Sequence, residues 1–493
     1  MLKISIIGIL ALAFVMPTNA ILAAPKQADT LVIIHPHSAD FAGYVISGFK
    51  AWYKSSTGND IIVDTIEKSS YSCYLEVKGW GGVSPLADIW WGGGEGLFED
   101  GREDGNLQRY EVAEDENITS HLADWHMKDD SDPTLDPSWY GAAVSGFGIM
   151  YNAEYLGELG IAIPKTWDDL IKPEYHDHIV MANPSASGST TAAVEMVLAD
   201  KSDQNTDVNL TAAADISEGW AYWAKVAGNV GEYTTSSSLV PALVYEGTYG
   251  VAITIDYYAW AKIAISVPGT IGFNYGGAST FSPDPIAILV GAAQQTQAEA
   301  FMDYVMSTEG QEKVGKYRIP ANSKAVPESL AIPPAWVDGS VNPDFPLINP
   351  FNVTLDGQMK TPTRNLFDKW FVQNEAKATA SYKAILDATD ATAKSNALGL
   401  YTTLPSTFDG TIASLIDQDT TNATLTTLWT TEGAVNFDAA KAEAVKIYDT
   451  GTTDVSGTGD PTTTTTDTQV PGIEALIFLA TIGTLVISRR RRK

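Results

Sequence analysis

From Thr30 onward the chain alternates short apolar, β-branched runs with stretches of helical period, and this alternation restricts it to an α/β architecture. Residues 31–35 read as a strand. Phe41, Val45, Phe49 and Trp52 then recur at helical spacing and fall on one face. Residues 61–66 and 88–91 give two more strands. Strands separated by helices imply a parallel sheet whose loops at the strand C-terminal ends are open to a ligand. A second block repeats the pattern, with strands at 147–152, 179–182, 251–255 and 286–290, a helix-capping sequence at Thr166-Trp167-Asp168-Asp169 and a helix at 190–199. The helix at 297–306 reads as a return to the first block. Beyond Pro350 only helices and loops are expected, around Leu366, Phe367, Trp370 and Phe371, then 384–386 and 439–448.

The two ends read as targeting segments rather than fold. Lys3, the apolar run 4–16 and the small-residue site Thr18-Asn19-Ala20 make residues 1–20 a secretory signal peptide. Residues 451–470 are a Thr-rich stalk, too poor in apolar groups to bury a core. Residues 471–488 are apolar and would span roughly 27 Å as a helix at ~1.5 Å per residue, enough for one transmembrane anchor. The basic tail 489–493 holds that end in the cytoplasm and leaves the body outside. The tail also resembles archaeal surface-protein sorting tails, in which Pro-Gly-Phe opens a short apolar helix ending in arginines; Ile473 stands where those carry Phe.

The formal net charge of −29 excludes nucleic acid as a partner. The single cysteine, Cys73, allows no intrachain disulfide and reads as a buried, inert thiol. Sequons at Asn117, Asn209, Asn352 and Asn422 fit an exported glycoprotein.

Four ordered segments carry a family resemblance: ADIWWGGGEGLFEDG (87–101), FGIMYNAEYLGELGIAIPKTWDDLIKPEYHDHIVMANPSASGSTTAAVEM (147–196), YEGTYGVAITIDYYAW (245–260) and DPIAILVGAAQQTQAEAFMDYVMSTEGQ (284–311). They resemble the ABC-transporter solute-binding proteins of the ferric-iron, phosphorylated-sugar and thiamine group, over about 31–327. The resemblance implies an α/β, two-lobed type II periplasmic-binding-protein fold with a hinge, closing on its ligand. To it this chain adds a helical C-terminal extension, stalk and one transmembrane helix. Lobe 1 would comprise 30–145, lobe 2 146–281, and 282–349 the return to lobe 1, with crossovers near 141–148 and 282–288. Residues 350–450 would pack on lobe 1. The implied partners are ABC permease and ATPase subunits and a small-molecule or metal solute, the receptor itself being a monomer.

Candidate ligand residues follow from local chemistry. Gly92, Gly93 and Gly94 follow a strand and precede Glu95, so a ligand can approach the backbone closely. Trp91, or its neighbour Trp90, could form an aromatic wall. Ser185, Ser187, Gly188, Ser189 and Thr190 open a helix directly after a strand, where free N–H groups and hydroxyls suit an anion. The same segment also suffices for an ordinary N-cap. Asp256, Tyr257 and Tyr258 end a strand, while His37 and Ser38 lie in the loop after the first strand beside His35; Asp284 falls at the second crossover. In the ferric relatives adjacent tyrosines and a histidine are metal ligands, which the resemblance would carry onto Tyr257, Tyr258 and His37. Ile255-Asp256 stands where that group carries asparagines. Three ligand classes stay open: ferric ion with a synergistic anion, a phosphorylated or otherwise anionic organic solute, and an organic cation. No resident cofactor is implied, Fe(III) being cargo.

Two other functions compete. A secreted surface hydrolase lacks Gly-x-Ser-x-Gly, His-Glu-x-x-His and a partnered cysteine nucleophile; Ser145 and Ser187 each precede glycine without the earlier one. A structural or adhesive surface protein would share the stalk, tether and sequons. The expectation is therefore a binding protein and not an enzyme.

Overall fold

A computed structural model describes residues 28–118, 127–129, 131–202, 211–325, 336–337, 340–341 and 353–448, the backbone alone for those between 336 and 357. The first lobe is built from β1 (Asp29–His35), α1 (Ala39–Thr57), β2 (Ile61–Glu67), α2 (Ser70–Trp80), β3 (Ile89–Trp91), α3 (Glu95–Glu103) and β4 (Leu107–Gln108). Then come β5 (Tyr140–Asn152), α4 (Ala153–Glu158), β6 (Ile179–Ala182), α5 (Gly188–Ser202), α6 (Ser217–Asn229), β7 (Val230–Thr234), α7 (Val240–Tyr245), β8 (Val251–Ile255), α8 (Asp256–Ile263) and β9 (Ile271–Asn274). The chain continues through β10 (Phe281–Leu289), α9 (Gln295–Met306), α10 (Thr308–Val314), a short pair β11 (Trp336–Val337) and β12 (Ser340–Val341), and a helical block. That block comprises α11 (Val353–Trp370), α12 (Glu375–Asp387), α13 (Ala391–Tyr401), α14 (Ile412–Ile416) and α15 (Ala423–Ala444).

The main sheet runs β2-β1-β3-β10-β5-β8-β6-β7, with β4 on β10 and β9 on β5. Its two ends are parallel: β1 pairs β2 and β3, and β6 pairs β7 and β8. The middle is antiparallel and continuous between lobes. At its start β5 pairs β10 (Tyr140↔Ile286), and at its end it pairs β8 (Phe147↔Ile255). One strand therefore passes through both lobes, and β10 returns beside it with a register shift between Pro283 and Pro285. Two prolines supply no ladder N–H, so the pairing is locally loosened where the lobes meet.

Lobe 1 closes around the face of α1 read from the sequence. Phe41, Val45 and Phe49 are buried against β1 and β3, and Phe49 meets Phe301 of α9 edge-on at 4.9 Å between ring centroids. Residues 281–314 thus rejoin lobe 1. Cys73 is buried, and burial pushes its thiol up to about 12, as an inert structural cysteine requires.

Lobe 2 contains a correction. The helical extension, expected on lobe 1, has its hydrophobic core in lobe 2 instead. Trp223 of α6 packs on Phe367 at 5.5 Å, Trp220 stacks on Phe371 at 6.3 Å, and the Tyr382 hydroxyl donates to Ile171 O. The cause lies in α5, which is buried along Thr190, Thr191 and Ala193 to Ala199 and so has no solvent face. One side covers the sheet, and the rest is covered by α6 and α11. Burying large aromatics such as these stabilises by about 1.5–3 kcal/mol each.

The sequence-predicted helix after Thr166 is a short 3-10 turn, Trp167–Ile171, although its capping box forms as expected. Among the described residues no helix is long and apolar enough to cross a membrane. The signal segment, stalk, anchor and basic tail lie outside the described residues, as do Asn209 and Asn352. Of the other sequons, Asn422 is an exposed N-cap of α15. Asn117, by contrast, is 5 % exposed with its Nδ2 donating to Glu114.

Candidate functional site

The loops at the C-terminal ends of β1 and β3 in lobe 1 meet those after β6 and β8 in lobe 2. The centre of this seam is Arg318, just beyond α10, whose guanidinium is fully buried. Its carbon lies 3.5 Å from the centroid of the Tyr257 ring and 3.9 Å from that of Phe41, so the cation is sandwiched between an aromatic from each lobe. Nη1 forms an ion pair with Asp284, and Nη2 donates to His37 Nδ1 at 3.0 Å. Asp284 in turn accepts from Gly93 N at 3.2 Å.

This bonding fixes the protonation of two histidines. Burial, and then the Arg318 charge, hold His37 well below the usual imidazole range and bring His35 down to about 4, so both are neutral near pH 7. His37 Nδ1 accepts from Arg318, and His35 Nδ1 accepts from His37 N at 3.1 Å. In a neutral imidazole the other nitrogen then carries the proton. His35 Nε2, His37 Nε2 and Arg318 Nε are all buried donors with no hydrogen-bond partner among the described residues. A buried donor left unmatched costs about 1–3 kcal/mol, so three in one cluster, one of them on a cation, call for an acceptor-rich group.

The glycines have a clear geometric reason. Gly92, Gly93 and Gly94 have φ of 87°, 134° and 93°, conformations that favour glycine. A Cβ on Gly92 would stand 2.6 Å from His37 Nε2, and one on Gly188 2.6 Å from Gly93 O. The second approach joins the lobes: the start of α5 is in contact with the β3–α3 loop. The Tyr258 hydroxyl joins them again by donating to Pro36 O at 2.9 Å. The lobes are thus closed on one another.

Asp256 sits beneath this seam at the hinge. Its carboxylate accepts from Gly146 N (2.8 Å) on β5, from the Tyr275 hydroxyl (3.0 Å) and from Tyr257 N (2.7 Å). Complete burial nevertheless pushes its pKa up to about 7, against those hydrogen bonds and the Arg318 charge.

The other residues singled out in the sequence fall as follows. Ser187 is the N-cap of α5, its Oγ accepting from Thr190 N (3.2 Å) and bonding Ser189 Oγ (3.1 Å) and Thr190 Oγ1 (3.0 Å). Ser185 lies in the preceding 3-10 turn. Glu95 opens α3, and Ser38 is the N-terminal boundary residue of α1 without a side-chain cap bond. Trp91 is 1 % exposed in the lobe 1 core, its ring 4.4 Å from that of His37, while Trp90 stacks on Phe98 at 3.9 Å. Neither indole forms an open aromatic wall. Tyr257 and Tyr258 lie in the first turn of α8, in the same lobe as the start of α5. The two segments therefore stand side by side and face lobe 1 together, rather than facing each other across the seam. Burial raises both phenols above their ordinary range, Tyr257 strongly. Arg318 is not singled out by the sequence; the arginine of KYRIP, just after a lobe 1 helix in so acidic a chain, was the only signal.

Two lobes, crossover strands and a donor-rich seam between them define the class of hinged solute-binding proteins. The chain belongs to the bacterial extracellular solute-binding protein family, which it matches over residues 84–338. That family places it among exported binding components of transporters, with no catalytic family indicated. It is 28% identical over 182 residues to the phosphoglycerate transport regulatory protein PgtC of Salmonella typhimurium, covering 36% of this chain and 42% of that protein. The match thus spans under half the length of that relative. An uncharacterized protein of Haemophilus influenzae is 26% identical over 271 residues, covering 52% of this chain and 68% of that protein. Two solved structures share the fold, each covering 70% of this chain and 99% of theirs. They are the periplasmic binding protein P5PA (22% identity, TM-score 0.55) and AfuA of Actinobacillus pleuropneumoniae with fructose-6-phosphate bound (19%, 0.56).

Proposed function

We propose that this protein is the capture receptor of an ABC importer and that its cargo is a small anionic organic solute of the phosphate-ester type, gripped between the lobes and handed to a permease. It acts by binding, without a chemical step. In this reading the C-terminal segment tethers the exported body to the membrane, with permease and ATPase subunits as partners.

The observation that carries the anionic assignment is the Arg318 cluster. Three unmatched donors, one of them on the Arg318 cation, suit phosphoryl or carboxylate oxygens, and the Gly188 and Ser189 N–H groups, ahead of the capped Thr190 N, supply more. The PgtC and AfuA names, a phosphoglycerate transport protein and a fructose-6-phosphate complex, point the same way. The ferric alternative fits less well. Arg318 fixes His37 Nδ1 as an acceptor and leaves a proton on Nε2, which removes His37 as a ligand, while Tyr257 and Tyr258 would have to ionise against burial and beside each other.

Calorimetric titration of the full chain with hexose phosphates, phosphoglycerates and ferric citrate tests the assignment. Saturable, colourless binding of an ester is expected. A visible phenolate-to-iron band on adding ferric citrate, with no response to any ester, would reject the proposal in favour of iron.

A further inference from the structure

The extension belongs to lobe 2, yet one face of α11 reaches lobe 1. Arg364 is 8 % exposed, and its guanidinium carbon lies 3.8 Å from the centroid of Tyr71 on α2. One turn earlier, the Lys360 side chain lies against Gly96 on α3, where its Cδ would stand 2.8 Å from a Cβ. The two cations also act on Asp100 of α3, and Arg364 acts on Glu195 of α5 from the other side. Arg364 is therefore a buried cation between an acidic residue of each lobe. Behind it α11 is fixed to lobe 2: Met359, Leu366, Phe367 and Trp370 enter that lobe's core, and Asp368 accepts from Asn183 Nδ2 at 2.8 Å. Pro362 lies inside the helix between the two cations, where it removes one backbone hydrogen bond and favours a bend.

We infer that α11 is a clasp on the hinge, with Arg364 and Lys360 as positioning residues that hold α2 and α3 of lobe 1 when the lobes close. The inference rests on the receptor reading, since only a hinged pair of lobes gives a clasp something to hold. Any opening along β5 and β10 must pull Tyr71 away from Arg364, because the two belong to different lobes. A desolvated cation on an aromatic face is lost in that motion, and the closed state is favoured by its worth. The extension therefore lowers the open population and slows solute release without touching the solute.

The test reads lobe separation directly. Fluorophores on the exposed positions Lys50→Cys and Glu246→Cys, with buried Cys73 left in place, report inter-lobe distance in the full-length chain by single-molecule energy transfer. Without solute, Arg364→Gln should shift the open-to-closed ratio toward open by about tenfold. Tyr71→Leu, which alters only lobe 1 and leaves the extension intact, should give a shift of similar size. The double variant should add little to either, because the two side chains form one contact. Unchanged distance distributions in Tyr71→Leu, or fully additive shifts, would overturn the clasp. The measurement needs no solute, so an error in the anionic assignment would leave its outcome unaltered and would show instead in the titrations.

Discussion

Replacing Arg318 by methionine separates the two tasks assigned to it. The substitution keeps an unbranched apolar stem between Phe41 and Tyr257 but removes the cation, leaving Asp284 7 % exposed without its partner. Breaking a buried pair from one side costs about 3–5 kcal/mol, and the lost stacking on two rings adds roughly 0.5–2 kcal/mol for each. Arg318→Met alone should thus melt well below the parent, which would cloud any binding result. Adding Asp284→Asn removes the stranded charge and should restore part of the loss, giving a folded double variant to compare with Asp284→Asn alone. If a bound anion takes two charge-assisted hydrogen bonds from Arg318, at about 1.5–3 kcal/mol each, the double variant binds the ester at least about 100-fold more weakly. Calorimetry and thermal melting on the same samples give both numbers. Affinities within about threefold of each other, with both variants folded, would refute the role given to Arg318.

Gly188→Ala introduces a methyl group aimed at Gly93 O across the seam; since alanine suits a helix start, stability should hold while solute affinity falls by about tenfold or more, and an unchanged Kd would argue that the lobes do not close here. The buried Asp256 gives a pH signature. Its folded pKa, about 7, lies above the value of an unfolded carboxylate, so its contribution to stability is full below about pH 4 and is lost as pH rises through 7. The two histidines, lowered by burial, act oppositely: their contribution is present above pH 6.5 and is withdrawn as pH falls, that of His35 through about 4. Asp256→Asn should therefore melt with a steeper rise from pH 4 to 7 than the parent, and parallel melting curves against pH would remove Asp256 from the hinge argument.

Most strands were legible because period and composition agree locally. Val251–Ile255 and Ile179–Ala182 fall where apolar β-branched runs place them, and the glycines after Trp91 carried their own explanation in positive φ. The side chosen by the extension was harder to see, since it depends on which surface is left uncovered. One hint was available: the run AAVEMVLA in α5 has no polar face, so something had to cover its outer side. The tryptophans misled because an aromatic pair on a three-residue strand serves two cores as readily as one ligand. Arg318 was hidden by long-range pairing, its partners His37 and Asp284 being 281 and 34 positions away. Local reading finds helix caps and glycine turns, whereas a buried cation is defined by residues that only the folded topology brings to it.

The union of the extension with lobe 2 makes the two jaws unequal. Lobe 2 carries the five helices α11–α15 in addition to its own, and this makes it the heavier jaw. Lobe 1, with the His37 loop and Arg318, is then the lighter part and makes the larger swing about the hinge.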